Sequence, residues 1–354
     1  MKTTFHGSAT QTCPRPLSHL LNAPTQTNVQ HTLLAPFSLS SKGLHTGLEL
    51  TVTFLAAPVG HGLQVQRTDL PGEPVVPALA DRVVDTSRGT VIADGDVRIS
   101  TIEHAMAALL ACGVDNCLIQ VDGPEFPILD GSSRYYVQEI LRVGLLEQDA
   151  PRNYLTITEP YEYRDEKTGS WLRILPPLPP GEHSCDDEQK QFAAPQPTAF
   201  ASPAGLSIDT TIYFEGSELI TTQRAHLGDL SCFATDFAAA RTFVFVREIA
   251  PLLQMGLIRG GDLSNALVIY DRPMAQADLD KLADALGAPH RDASHLGFLQ
   301  LRPLQWENEP ARHKVLDLLG DLALVGRPLR GRVEAYKPGH TVNNRFARKL
   351  LAME

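Results

Sequence analysis

The apolar positions of residues 311–326, "ARHKVLDLLGDLALVG", recur at the helical period. Wound at about 100° per residue, Val315, Leu316, Leu318, Leu319, Leu322 and Ala323 form one broad arc, which predicts a helix with a buried face. The opposite arc carries His313, Asp317 and Asp321 at four-residue intervals, with Lys314 beside them, so these side chains stack in one stripe. Spacing alone leaves two readings open, an ordinary solvated face or groups gathered for chemistry. A solvated face more often mixes Lys, Glu, Gln and Arg, so these short, chemically capable groups call for corroboration elsewhere in the chain.

Elsewhere the period changes to two. "LELTVTFL", residues 48–55, alternates apolar and polar positions, and "LQVQRTDL" follows the turn "VGHG"; both read as strands. "STIEHAMAALLACGVDN", residues 100–116, reads as a helix, with Ser100 placed as cap, Glu103 three residues later and Gly113 as terminator. The strand "CLIQVDG" follows, then a second helix within "PEFPILDGSSRYYVQEILRVGLL", and a polar stretch near Asp149–Asn153 closes the first half. The second half repeats the outline: strands around "YLTITEPYEYR" and "LSIDTTIYF", a helix around residues 246–256, the strand "NALVIYD", then the helix of residues 311–326. This predicts an α+β fold of two domains of similar plan, residues 31–150 and 151–354, packed together. Residues 1–30, rich in Thr, Gln, Asn and Pro, read as a disordered tail. The proline-rich residues 175–205 read as an inserted loop, and "RPMAQADLDKLADALGAPHRDASHLG" as a short surface helix with loose flanks. No catalytic residue is expected from either insertion.

Composition narrows the function classes. A chain of 354 residues with 43% hydrophobic and 20% charged content can bury substantial cores. No apolar run approaches the roughly 18 residues of a membrane helix. With 31 basic against 41 acidic residues and no Lys/Arg-rich run, nucleic acid is not an expected partner. The five cysteines form no CxxC pair, which fits a reducing compartment; Cys112 and Cys117, within and just after an apolar helix, read as small buried thiols.

A catalytic zinc site takes three protein ligands and keeps a position for water. His313 and Asp317 can supply two of them. The third is expected from another element, beside a carboxylate able to move protons, and "TIEHAMAAL" places Glu103 next to His104. In that arrangement His104 binds the metal and Glu103 takes a proton from the activated water. "KPGHTVNN" adds His340 after Pro338-Gly339, read as an exposed turn suited to a general acid, with Asp321 as the carboxylate that orients it.

These residues carry a resemblance. "KGLHTG", "DVRISTIEHAMAAL", "GVDNCLIQVDGPEFPILDGS", "ARTFVF", "GLIRGGDLSNALV", "RHKVLDLLGDLAL" and "GHTVNN" stand in the order and approximate spacing of the zinc-dependent UDP-3-O-acyl-N-acetylglucosamine deacetylases of lipid A biosynthesis. The likeness runs from about residue 31 to the C-terminus and implies two α+β domains with the active site between them. It implies a cytoplasmic zinc amidohydrolase of lipopolysaccharide synthesis in a Gram-negative bacterium, acting on a UDP-linked, 3-O-hydroxyacylated N-acetylglucosamine. Carried over by motif, the ligands of Zn2+ are His104, His313 and Asp317, Glu103 is the general base, and His340 is the general acid oriented by Asp321. Thr242 matches the hydroxyl that stabilises the oxyanion, and Lys314 a cation near the reacting centre. Phe243, Phe214 and Glu248 match substrate contacts. The family also implies that residues 243–270 form an apolar βαβ insert leading the acyl chain away from zinc. Lys167 lies near "GSWLRI" but out of register with a substrate-binding lysine of some members. The proline-rich insertion and the loop before residue 297 resemble the branch in which the deacetylase is fused to a C-terminal hydroxyacyl-carrier-protein dehydratase. Two rival readings use the same residues: a silent binder of nucleotide-sugar lipids, against which the full ligand and acid/base set argues, and a zinc protease, against which the lack of an HExxH helix argues.

Overall fold

The computed structural model describes residues 28–177, 205–217, 219–299 and 301–353, together with the short strand Lys2–Thr4. The insertion of residues 175–205 and most of the expected tail of residues 1–30 therefore lie, apart from their edges, outside the described residues; the described parts of that tail are ordered, Lys2–Thr4 pairing with Ser38–Ser40 and Val29 with Pro151. The fold is α+β. Among the described residues its helices, in chain order, are α1 (Glu103–Cys112), α2 (Arg134–Val143), α3 (Phe233–Asp236), α4 (Val246–Gln254), α5 (Gln276–Leu286), α6 (Glu309–Ala323) and α7 (His340–Leu351). None is long and apolar enough to cross a membrane.

Two main sheets follow the same plan. In the first, Phe37–Lys42 pairs with Glu49–Ala56, which runs antiparallel to the central strand Cys117–Val121; that strand is parallel to Leu63–Arg67, which pairs with Val75–Pro77. In the second, Tyr161–Asp165 pairs with Ser170–Leu175, which runs antiparallel to the central strand Leu329–Tyr336; that strand is parallel to Leu206–Tyr213, which pairs with Thr222–Leu227. Alternate residues of Glu49–Ala56 and Leu329–Tyr336 are buried, as expected where one sheet face meets the core and the other meets water. The central strand follows α1 and precedes α2 in one half, and follows α6 and precedes α7 in the other.

The halves meet through α1 and α6, and one continuous apolar core runs through both. Gly320 makes the approach close: a Cβ there would sit 2.1 Å from the carbonyl oxygen of Glu103. The stripe on α6 is thus not a solvated face, since His313, Asp317 and Asp321 are 1%, 2% and 0% exposed.

Three smaller sheets complete the fold among the described residues: Val29–Leu33 pairs antiparallel with Leu145–Pro151, and two others have three strands each. Phe243–Phe245 and Leu267–Tyr270 pair in parallel with α4 between them, and Gly297–Leu299 adds an antiparallel edge. Val83–Asp85, Val91–Asp94 and Val97–Ile99 form a three-stranded meander that the hydrophobic pattern did not predict, its strands being too short for a period to register.

Two local expectations need correction. Ser100 does not cap α1: its hydroxyl bonds the carbonyl of Pro124, the helix starts at Glu103, and no side chain caps it. His340 is not in an exposed turn; it opens α7 with a side chain only 14% exposed. The Cys112 and Cys117 thiols are pushed up to about 12 by burial, which makes them poor nucleophiles.

Candidate metal and acid/base centre

The stripe on α6 faces the start of α1. Asp317 Oδ1 lies 3.3 Å from His313 Nε2 and 3.8 Å from His104 Nε2, and the two imidazole rings meet edge to face at 5.1 Å. Within this cluster each residue can offer a ligand atom within 4.8 Å of the others. The surroundings fit a cation. Asp317 Oδ1 is buried and has no hydrogen-bond partner among the described residues, a costly state for a carboxylate oxygen unless something else binds it. Asp317 Oδ2 accepts from Lys314 Nζ at 2.8 Å. His313 Nδ1 meets the carbonyl oxygen of Ala240 at 3.0 Å; a carbonyl only accepts, so Nδ1 carries the proton and Nε2 keeps its lone pair for the cluster.

Electrostatics point the same way. Burial, reinforced by His313, pushes the His104 imidazole down to about 3, and burial also lowers His313, so both rings are neutral, as metal ligands must be. Burial works against ionisation of Asp317, yet the charges beside it, Lys314 and His340 among them, outweigh it and hold the carboxyl below its ordinary range.

The proton-transfer groups flank this cluster. Glu103, at the positive N-terminal end of α1, is pushed up to about 7, chiefly by burial. His340 Nε2 is 3.9 Å from Glu103 Oε1 and 3.9 Å from Asp317 Oδ2, while its Nδ1 bonds Asp321 Oδ2 at 2.9 Å. Burial would lower the His340 imidazole, but Asp321, with Asp317 and Glu103 behind it, raises it to about 9. A base near neutrality and an imidazolium thus stand side by side, the pairing that general acid–base hydrolysis needs.

The remaining expected residues are placed as follows. Phe243 lies beside the cluster, its ring 6.2 Å from that of His313 and 5.2 Å from Lys314 Nζ. Phe214 packs edge to face on Phe243 at 5.8 Å and on Phe245 at 4.8 Å, so three phenylalanines form one apolar wall. Thr242 belongs to the same loop, held by its amide on the carbonyl of Gly131 at 2.7 Å and by its carbonyl on the amide of Leu267. The Arg241 guanidinium clasps Glu309 through Nε and Nη2, at 2.8 and 3.1 Å, and ties that loop to the first residue of α6. Glu248 is not brought into the cluster; it is 41% exposed and lies 4.0 Å from Arg88 of the first half.

Sequence reasoning missed Thr90, whose amide bonds Glu103 and whose hydroxyl bonds Asp321. It also passed over Asn343, which bonds Asp321 Oδ2 from within "GHTVNN", and Phe245 within "ARTFVF". The two motifs already held the last two; "SRGTVIAD" gives no pattern from which Thr90 could be read. A separate cavity of about 670 Å3 opens at the far ends of α1 and α6, beside Leu110, Val114, Phe233 and Val325. It contains none of the groups above and is not this site.

Known proteins resemble this chain over most of its length. Residues 30–284 and 293–352 match the model of the UDP-3-O-acyl N-acetylglycosamine deacetylase family, LpxC. The chain is 54% identical over 321 residues to the bifunctional enzyme LpxC/FabZ of Bacteroides thetaiotaomicron, covering 91% of this chain and 64% of that protein. It is 40% identical to the LpxC/FabZ enzyme of Chlorobaculum tepidum, again covering 64% of the relative. A UDP-3-O-acyl-N-acetylglucosamine deacetylase of Myxococcus xanthus is 36% identical, with 91% of this chain and 86% of the relative covered. The chain thus spans just under two thirds of the length of the bifunctional relatives.

Proposed function

The chain belongs to the UDP-3-O-acyl N-acetylglycosamine deacetylase family, and from that premise we propose that it is a zinc-dependent deacetylase of the cytoplasm. Its reaction is hydrolysis of the 2-acetamido group of UDP-3-O-(3-hydroxyacyl)-N-acetylglucosamine, with release of acetate, as the committed step of lipid A biosynthesis. One observation carries this reading: a buried, unbonded carboxylate oxygen of Asp317 faces two neutral imidazoles, with a base and an acid directly beside them.

His104, His313 and Asp317 would hold the ion, a His2Asp donor set suited to zinc. The ion, when bound, supplies Lewis-acid charge at the amide carbonyl. The chain's own groups do the rest. Glu103 accepts a proton from the attacking water, and its burial keeps that carboxylate basic enough to do so at neutral pH. His340, kept protonated by Asp321, gives a proton to the departing amine. The hydroxyl of Thr242 donates to the developing oxyanion, and Lys314 holds Asp317 while adding positive charge. Phe243 and Phe214 offer an apolar wall to the sugar and uridine ends, and Glu248 contacts the substrate further out.

The acyl chain is assigned to the unit of residues 243–270. Ile249 is buried there and borders a void of about 30 Å3 with Val246, Leu263, Val268 and Leu286, whereas Met255 is 59% exposed and is not part of an enclosed passage. Acetate release from the acylated nucleotide sugar, measured with metal content on the same preparation, tests the proposal. Stoichiometric zinc together with acetate release is expected; a zinc-loaded protein that binds this substrate and releases nothing would refute it.

A further inference from the structure

Thr90 touches both arms of the acid/base pair. It is fully buried and stands at the entry to the strand Val91–Asp94. Its amide donates to Glu103 Oε2 at 3.1 Å, and its hydroxyl lies 2.5 Å from Asp321 Oδ1. The same hydroxyl oxygen is 3.3 Å from His340 Nδ1, whose closer partner is Asp321 Oδ2 at 2.9 Å. An ionised carboxylate only accepts, so the proton direction is fixed: Thr90 gives its hydroxyl proton to Asp321. Asn343 Nδ2 bonds Asp321 Oδ2 at 2.9 Å, so both oxygens of that carboxylate are held and it cannot turn away from His340. The turn reaches this depth through Gly89, with φ of 148°, where a Cβ would stand 2.8 Å from Glu103 Oε1.

We propose that Thr90 is a positioning residue that sets the general base through its amide and the general acid through Asp321. The small meander of residues 83–99 then has a role: it carries this one hydroxyl into the gap between the two halves. The inference rests on the deacetylase reading, and it acts on rate rather than on substrate affinity. Two pairs of variants isolate the hydroxyl, since Thr90→Val differs from wild type, and Thr90→Ala from Thr90→Ser, essentially by that group.

The test measures kcat and KM for acetate release, zinc content and melting temperature across this set. Thr90→Val and Thr90→Ala are expected to lose about 10–100-fold in kcat with KM and zinc content little changed, and Thr90→Ser to stay close to wild type. Adding Thr90→Val to Asp321→Ala should cost little more than Asp321→Ala alone, because the two act through one network. Equal kcat in the Ser and Ala variants, or full multiplication of the losses in the double variant, would overturn the proposal. A second readout needs no turnover: the downfield proton resonance of His340 Nδ1 should persist in wild type and Thr90→Ser and be lost to exchange in Thr90→Val and Thr90→Ala. Wild type that releases no acetate would sink the deacetylase reading instead, and the resonance would then decide the role of Thr90 alone, its persistence in Thr90→Ala counting against it.

Discussion

In the first half of the chain α1, the strand Cys117–Val121 and α2 follow one another; in the second, α6, the strand Leu329–Tyr336 and α7 do the same. Each central strand is antiparallel to one neighbour and parallel to the other. The chemistry is divided differently. On α1 it is confined to Glu103 and His104 in the first turn, after which "AMAALLAC" is wholly apolar or small. On α6 it runs through three turns as His313, Lys314, Asp317 and Asp321, and α7 opens with His340 where α2 opens with Arg134. The shared plan follows from apolar periodicity and the need of each sheet to cover one face. The centre follows from where the helices are forced together, at Gly320 against Glu103. Neither half holds all three of His104, His313 and Asp317.

The largest loss should come from the proton-transfer groups that the two halves bring side by side. Glu103→Ala, from the first half, and His340→Ala, from the second, are each expected to slow turnover by about 10²–10⁴-fold while zinc stays bound. The base must be ionised and the acid protonated, so Glu103→Ala should remove the limb that rises with pH and His340→Ala the limb that falls. Both limbs belong to the coupled pair rather than to either residue. Metal loss in either variant would show that the roles are misassigned.

Next in size is the effect of the acyl chain, which sharpens the comparison because the first half has no counterpart of the 243–270 unit. Each methylene sheltered is worth about 0.8 kcal/mol, so a substrate lacking the 3-O-acyl group should lose orders of magnitude in kcat/KM. Substitution of Ile249 or Leu253 should penalise long-chain substrates selectively. Equal efficiency on acylated and unacylated sugars would make this unit ordinary core.

Gly320→Ala attacks the junction itself. The added Cβ meets the backbone of Glu103, which cannot yield as a flexible side chain would, so α1 and α6 must separate. A loss of about 1–3 kcal/mol in stability is expected, with a fall in kcat beyond it; denaturant midpoints and turnover on one preparation measure both. Unchanged stability would mean that the helices do not depend on this contact.

The smallest effect lies far from the junction, where His226 and Asp209 pair at 2.7 Å on neighbouring strands. The hydrogen bond to Asp209 raises the imidazole above its ordinary 6.5, so the stabilisation is fully present below that value and disappears as pH rises through the folded one. The ring is 37% exposed, and solvent screening keeps the contribution below about 1 kcal/mol. Asp209→Asn should narrow the stability difference between pH 5.5 and pH 9; an unchanged difference would assign the pH dependence elsewhere.

The helix α1, apolar or small after His104, was legible from Glu103 near its start and Gly113 at its end, while α6 and strands such as Glu49–Ala56 were legible because their segments repeat a clear period. The stripe on α6 was visible for the same reason, though its burial was not, since periodicity cannot say what covers a polar arc. His340 was misread as exposed because Pro338-Gly339 signals a turn while α7, which the turn begins, carries a weaker apolar pattern. Thr90 was beyond reach: its role depends on a tertiary approach to Asp321, 231 residues away in the chain. The approach of Glu248 to Arg88 was equally beyond reach, since the two belong to different halves and meet only in the fold.

The central claim is that one metal site is assembled from both halves, and metal content tests it most directly. Wild-type protein, His104→Ala and His313→Ala, purified in parallel and analysed for zinc by mass spectrometry, should give one equivalent for wild type and a large loss for each variant, with Glu103→Ala retaining the metal as the adjacent control. Undiminished zinc in His104→Ala would contradict the account, because the site would then belong to the second half alone.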